Sequence, residues 1–479
     1  MATFLSLFDA GLGSCDGRVF ERLRRLAVGL LECTERGTIS GMIAASGRTE
    51  SDWSADYRVF SRGRFQVREL FAVIERCLLG YLAPDAAIVV ALDDTKFRKT
   101  GTKIPGVSYQ RDPMSPPFRA NLIRAQRFIQ TSATVPLAGA SGPARAFPIA
   151  FEHVPPPPRP GRDASAQEWA CYRQRQKTEG LPAAAAKMIS GCRQRMDALG
   201  ATDRRVVVTV DGGYTNATVL RNVPERTTLI GRIRQDAKLL LPPVHQPDRG
   251  RKCSYGINAP RPDQLRRDES VPWQQVSVFA SGRVHECKVK TLGPVLWRKA
   301  GAHKPLLLVV IAPLGYRLHK SGRILYRKPA YLICTDPTMP LTELVQAYFR
   351  RWDIEVNHRD EKQLIGVGQA QVRSPESVES VPAFAVAIYS LLMLASAQCY
   401  GLAATAPPHP VPSWRKPSTA NQVRITTGQI IHAFHHDATP ARPRGDLPNF
   451  TDFETRLARH LKCPKSQVSR EMALAYAMT

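Results

Sequence analysis

The sequence predicts an α/β core, preceded by a helical region and interrupted by a β-rich segment. Three observations predict it. Two short apolar runs, residues 87–92 and 206–210, have the length and β-branched content of strands buried on both faces, and each runs into an aspartate. The first eighty or so residues instead repeat their apolar positions at helical spacing. Between about 235 and 340, strand-like runs follow one another without intervening helices.

The elements follow in order. Val19, Phe20, Leu23, Leu26, Ala27, Leu30 and Leu31 recur with helical period. Shorter helices are expected near 39–45 and 52–60, and a longer one over 67–82 places Val67, Leu70, Phe71, Ile74, Leu78 and Leu82 on one side. Arg36, Arg48, Arg58, Arg62 and Arg64 lie among them, which suits a helical DNA-binding domain over residues 1–83. A helical cap with a solvated basic face is the alternative.

The first part of the core is expected over 84–234. Strand 87–92 ends at Asp93-Asp94, and a loop rich in Gly, Pro and Arg runs to about 124. Strands 128–135 and 146–151, a proline-rich connector at 155–160 and a helix over 166–199, weakened at Gly180 and Pro182, come next. Strand 206–210 meets Asp211, Gly212-Gly213 turns the chain into a helix near 214–222, and 229–233 is a further strand. Residues 235–340 read as an inserted β-rich subdomain with strands at 276–279, 284–289, 306–311 and 326–334. The second part of the core, 341–400, holds a long helix to about 365 and an apolar helix over 383–400. That run carries Ser390, Ser396 and Gln398 and is barely the length of a bilayer span, so a buried helix is expected and no membrane. Residues 401–479 form a loop-rich C-terminal region with a short basic helix from Asp452.

Lys and Arg number 67 against 41 Asp and Glu, a net charge of +26. A field of that sign attracts polyanions, which makes nucleic acid the leading partner. The ten cysteines form no CxxC pair and read as reduced residues of a cytoplasmic protein. No basic stretch followed by an apolar core opens the chain, so no signal peptide is expected.

Ligands of open α/β sheets gather at the carboxyl ends of strands, where Asp94 and Asp211 are expected. Carboxylates there suit Mg²⁺, a hard cation that is commonly shared with substrate phosphates. A structural cap or turn role is the commoner explanation for either residue alone. On the helix from 341, Tyr348, Glu355 and Lys362 are seven residues apart and form one stripe, drifting about 20° per step. Arg351 joins it at i+3 from Tyr348 and i−4 from Glu355. A phenol, a guanidinium, a carboxylate and an ammonium on one side suit a phosphate-rich substrate. A solvated face with an Arg351–Glu355 pair is the alternative. His432, His435 and His436 have a spacing that can hold a metal, but no acidic or Cys partner is evident. Gly212-Gly213 lacks the other glycines of a dinucleotide fingerprint.

The spacing Tyr-x2-Arg-x3-Glu-x6-Lys, met by Tyr348, Arg351, Glu355 and Lys362, resembles the signature of a group of DDE transposases from bacterial insertion sequences. The resemblance covers about 85–400 and, more loosely, the N-terminal helices. It implies an RNase H-like catalytic core with Asp94, Asp211 and Glu355 as catalytic residues holding two Mg²⁺ ions, for which Mn²⁺ substitutes. Asp94 is preferred to Asp93 because the group has an Asp followed by Thr. Tyr348, Arg351 and Lys362 are implied to hold the DNA backbone at a hairpin. Trp273 or Trp297 is a candidate for stabilising a flipped base, with strand packing as the alternative. The implied activity is metal-dependent cleavage of transposon ends and strand transfer into target DNA, by a homodimer in a synaptic complex on terminal inverted repeats, in the bacterial cytoplasm at the nucleoid. A catalytically silent DNA-binding relative and a related nuclease without strand transfer are the alternatives.

Overall fold

The structure is a computed structural model; it describes residues 1–438 apart from 51, 113–114, 117, 120, 138, 140–141, 245–251, 318, 320 and 406–423. The basic helix expected from Asp452 lies outside the described residues.

Five helices open the chain: α1 (Ala2–Leu12), α2 (Gly17–Glu32), α3 (Ile39–Ala45), α4 (Ser54–Ser61) and α5 (Val67–Leu79). Side-chain caps start two of them. Asp16 accepts from the backbone N–H groups of Arg18 and Val19, and Thr38 from that of Gly41, so donors left over at each helix start are satisfied. The strands β1 (Ile88–Arg98), β2 (Ser108–Arg111), β3 (Leu122–Pro136) and β4 (Ala144–His153) follow. Helix α6 (Ala166–Thr178), opened by a Ser165–Glu168 capping box, and α7 (Leu181–Ala198) are split at Gly180, where Pro182 sits in the first turn of the second helix. Then come β5 (Val206–Val210), α8 (Ala217–Arg221) and β6 (Thr227–Arg232).

β1, β5 and β6 run parallel, β3 is antiparallel to β1, and β4 is antiparallel to β3. The first strand continues past the two aspartates to Arg98, because its antiparallel pairing with β3 extends to Arg98↔Ala125 after its parallel pairing with β5 has ended at Leu92↔Val210. Asp93 and Asp94 therefore lie within a strand rather than at its end.

Beyond β6 the chain forms α9 (Pro262–Arg267), β7 (Gln274–Ala280), β8 (Arg283–Trp297), β9 (Gly301–Ile311), the short pair β10 (Gly315–Tyr316) and β11 (Leu325–Tyr326), and β12 (Ala330–Cys334). β7, β8 and β9 do not make a sheet of their own. They extend the central one, in the order β2-β3-β1-β5-β6-β12-β9-β8-β7, with β4 also paired to β3. The result is a mixed α/β fold built on one ten-stranded sheet.

The chain ends its described part with α10 (Leu341–Arg350), α11 (Trp352–Asp360), a π-helical turn at Glu361–Ile365, α12 (Pro375–Tyr400) and α13 (Thr427–Ala438). Alternation along β5 feeds two cores. Val206, Val208 and Val210 join the larger one with α7 and α12, and Val207 joins a second one with α10. Helix α12 is long and apolar enough to cross a membrane, but 94% of its most apolar window is buried by protein. Its Phe384 meets Phe8, Phe60 and Phe65 edge-on, which ties the N-terminal helices to the rest of the molecule.

Candidate active site

Parallel strands β1 and β5 bring their carboxyl-directed ends side by side, so Asp93 follows Leu92 while Asp211 follows Val210, its pairing partner. Neighbouring side chains on a strand point to opposite faces, so Asp93 and Asp94 diverge. Asp93 turns to the face covered by α10 and α11. There Arg351 bridges two carboxylates, reaching Asp93 Oδ2 at 3.3 Å and Glu355 Oε1 at 2.9 Å. Asp93 carries a pKa pushed up to about 7: burial raises it, Arg351 opposes, and the charge of Asp211 adds to the rise. Asp93, Asp211, Arg351 and Glu355 thus form one electrostatic group.

Asp94 has other company. Its Oδ1 accepts a hydrogen bond from the Tyr214 hydroxyl at 2.8 Å, and its Oδ2 lies 3.4 Å from Arg127. Burial drives the Tyr214 phenol far above its ordinary range, with Asp94 adding to the effect, so Tyr214 is a fixed donor. Asp211 Oδ1 accepts from the backbone N–H groups of Gly213 and Tyr214 at 2.8 and 3.3 Å. Its own carbonyl accepts from Thr215 Oγ1 at 2.8 Å, which closes the turn that Gly212-Gly213 begins. Gly231 on β6 lets Thr215 pack there, since a β-carbon at 231 would overlap its hydroxyl.

The stripe expected on the long helix is kept in part. Tyr348 and Arg351 stay together with Glu355, and the phenol of Tyr348 adds to the field on the Arg351 guanidinium. The helix then widens into the π-helical turn, where each turn takes more residues. Lys362 is the second residue of that turn. Its ammonium lies 5.5 Å from the Phe97 ring centre and feels the charge of Asp94.

Two clefts flank this group. One, of about 990 Å³, starts at Gly212 beside Asp211 and is lined by Arg234, Lys238, Arg267, Lys299 and Lys328. The other, of about 1680 Å³, reaches Tyr348 and Arg351 and is lined by Arg283, Arg327 and Arg424. Arg232 and Lys328 line both, so the two join into one trough beside the group, mostly basic but with Asp236, Asp263 and Asp353 also in its walls.

Carboxylate oxygens are the donor type a hard divalent cation takes. Among the described residues, no three His, Cys, Asp or Glu side chains stand together in metal-holding geometry. The Arg351 guanidinium lies between Asp93 and Glu355, a positive charge in the space that the carboxylates share. The donor type fits such an ion, while the spacing between Asp93 and Glu355 is here set by the Arg351 guanidinium.

The remaining candidates are placed as follows. Trp297 is buried with the Lys299 ammonium over its ring at 4.7 Å, and Trp273 is covered by Lys290 at 4.6 Å. His435 Nε2 lies 2.6 Å from the Leu31 carbonyl. Sequence reasoning missed Tyr214 as the partner of Asp94. The one available signal was its position just after the turn that follows Asp211.

A family model described as DDE superfamily endonuclease matches residues 10–304, well over half of the chain. The match includes Asp93, Asp94 and Asp211 and stops short of the helix that carries Glu355. No curated protein matches the chain.

Proposed function

The chain belongs to the DDE superfamily endonuclease family, and from that premise we propose that it is a DNA transposase whose carboxylates Asp93, Asp211 and Glu355 hold divalent metal. The observation that carries the reading is that Arg351 bridges Asp93 from β1 and Glu355 from α11, while Asp211 beyond β5 is near enough for its charge to act on Asp93. The arrangement of β4-β3-β1-β5-β6, three antiparallel neighbours followed by two parallel ones, supports an RNase H-like core.

Mg²⁺ ions bound there would activate the attacking oxygen and neutralise charge at the scissile phosphate, with Mn²⁺ as a substitute. The protein's own residues do the rest. Arg351 presents a planar fork and Tyr348 a hydroxyl to phosphate oxygens, and Lys362 adds a point charge on the Asp94 side. The mostly basic trough holds the DNA backbone beside the acids. In this reading a water first opens one strand at the transposon end. The freed 3′ hydroxyl then attacks a phosphodiester of the opposite strand, closing a hairpin as the 3′ oxygen of the flanking DNA leaves; a second water reopens the hairpin, and the restored 3′ hydroxyl attacks a target phosphodiester as the target's own 3′ oxygen leaves. A synaptic homodimer on terminal inverted repeats is part of the same proposal.

Asp94, which the Asp-Thr resemblance favours, is the second reading for the ligand on β1. Its Tyr214 and Arg127 partners suit a residue that braces the Asp211 turn against β3.

The test is incubation with the ends of its own element and Mg²⁺, with products resolved on a denaturing gel. Nicks, hairpins and joined products are expected. Nicks alone would make it a nuclease without strand transfer, and intact DNA would make it a silent DNA-binding relative.

A further inference from the structure

Helix α11 is held from behind by a segment far away in sequence. At about 100° per residue, Asp353 and Asp360 lie roughly 140–200° around the helix from Glu355. Both are engaged by residues 424–427. Arg424 approaches Asp353 Oδ1 at 3.4 Å and also donates to the Ala144 carbonyl on β4. The Thr427 hydroxyl donates to Asp360 Oδ2 at 2.7 Å, within the protein interior. Arg145, itself buried, donates to the Ile425 carbonyl and so pins the same segment to the sheet. The segment continues as α13, whose far end reaches the N-terminal helices. Phe434 meets Phe4 edge-on at 5.6 Å, His435 sits against the Leu31 carbonyl, and Asp437 pairs with the N-terminal amine at 3.2 Å.

We propose that residues 424–438 are a strut that sets the position of Glu355, with Arg424 and Thr427 as positioning residues acting through Asp353 and Asp360. This rests on the reading of Glu355 as a metal ligand. A carboxylate ligand must be held to a fraction of an ångström, and among the described residues the front of α11 offers Arg351 alone for that purpose. The two rear anchors are seven residues apart, one on each side of Glu355 along the helix, so together they fix both its height and its rotation.

The test uses the full chain. Thr427→Val keeps shape and removes only the hydroxyl, and Thr427→Ser restores it. Arg424→Ala is paired with Arg424→Lys. Thr427→Val and Arg424→Ala are expected to lower kcat for end cleavage by about 10- to 100-fold, the range for a displaced catalytic group; KM for DNA should stay within about twofold in Thr427→Val, since of the two residues only Arg424 also lines the trough. Mn²⁺ binding, followed by electron paramagnetic resonance without DNA, should weaken several-fold in the same two variants and recover in Thr427→Ser. A melting temperature that falls while kcat and Mn²⁺ affinity stay at wild-type values would overturn the strut and leave the nuclease reading intact. A wild-type chain that neither cleaves nor binds Mn²⁺ would overturn both.

Discussion

The two sides of helix α11 carry similar residues and put them to different use. On the cleft side, Arg351 and Glu355 face Asp93 beside a trough of cationic side chains, and Glu355 is a third exposed. On the inner side, Asn357, Asp360 and Glu361 meet partners supplied by β3, β4, α12 and the start of α13, and Asp353, at the cleft rim, meets Arg424. The inner charges are used up by the protein itself. The outer ones keep accessible oxygen atoms and an incomplete charge balance, as a site for an external cation and phosphate requires. In the proposed reading, the difference separates residues that bind from residues that hold.

The largest expected effects test that division directly. Asp93→Asn, Asp211→Asn and Glu355→Gln should each abolish cleavage, by more than about 10³-fold, while DNA binding survives on the remaining positive field. Asp94→Asn should cost about tenfold or less, since it weakens a brace to Tyr214 and Arg127. Gel-resolved cleavage rates in Mg²⁺ check this. A dead Asp94→Asn beside an active Asp93→Asn would exchange the two roles.

Next in size are Arg351→Ala and Lys362→Ala. Loss of one preorganised electrostatic contact in a transition state costs about 10²–10³-fold. A hairpin crowds phosphates together, so nicked ends should accumulate over hairpin and released-end products. If Arg351 only paired with Glu355 on a solvated face, the loss would be worth tenths of a kcal/mol. Time courses of the three products discriminate, and unchanged ratios in both variants would remove these residues from the outer, binding class.

How much of this was legible in the sequence follows from how local each feature is. The apolar runs that became β1 and β5 were legible because strands buried on both faces leave no other pattern. The Arg351–Glu355 pair was legible because helical spacing fixes it. The proposed preference for Asp93 over Asp94 was not, because it rests on which face of β1 meets α11, a tertiary fact. The joining of β7–β9 to the central sheet was hidden for the same reason: strand runs show that strands exist and not which edge they pair with. The seat of Lys362 over Phe97, near the charge of Asp94, was hidden as well, since a seven-residue spacing does not say what the end of a stripe packs on. Residues 424–427 carried no periodic signal at all, since their role is to dock rather than to repeat.

The smallest effect concerns the inner side and reads out in stability. Glu361 is fully buried on the π-helical turn, accepts one hydrogen bond from Gln130 Nε2 at 2.9 Å, and leaves its Oε2 without a partner among the described residues. Burial pushes its pKa up to about 8, against about 4.3 for an unperturbed glutamate. Folding therefore takes up a proton between those two values. The native chain binds more protons than the unfolded one across that window, so stability falls as pH rises from about 4.3 to 8 and stays lower above it. Glu361→Gln retains an acceptor for Gln130 and cannot ionise. At pH 5, where the native glutamate is protonated, the variant and the wild type should melt within about a degree of each other. At pH 9 the variant should melt higher by a few degrees, as a buried charge is no longer required. Asp93 titrates in the same direction, but it does so in both proteins and cancels from the difference. Calorimetry of the two chains from pH 5 to 9 measures it. A constant difference across that range would mean that Glu361 does not change charge there, and would move it from the inner, holding class toward the outer one.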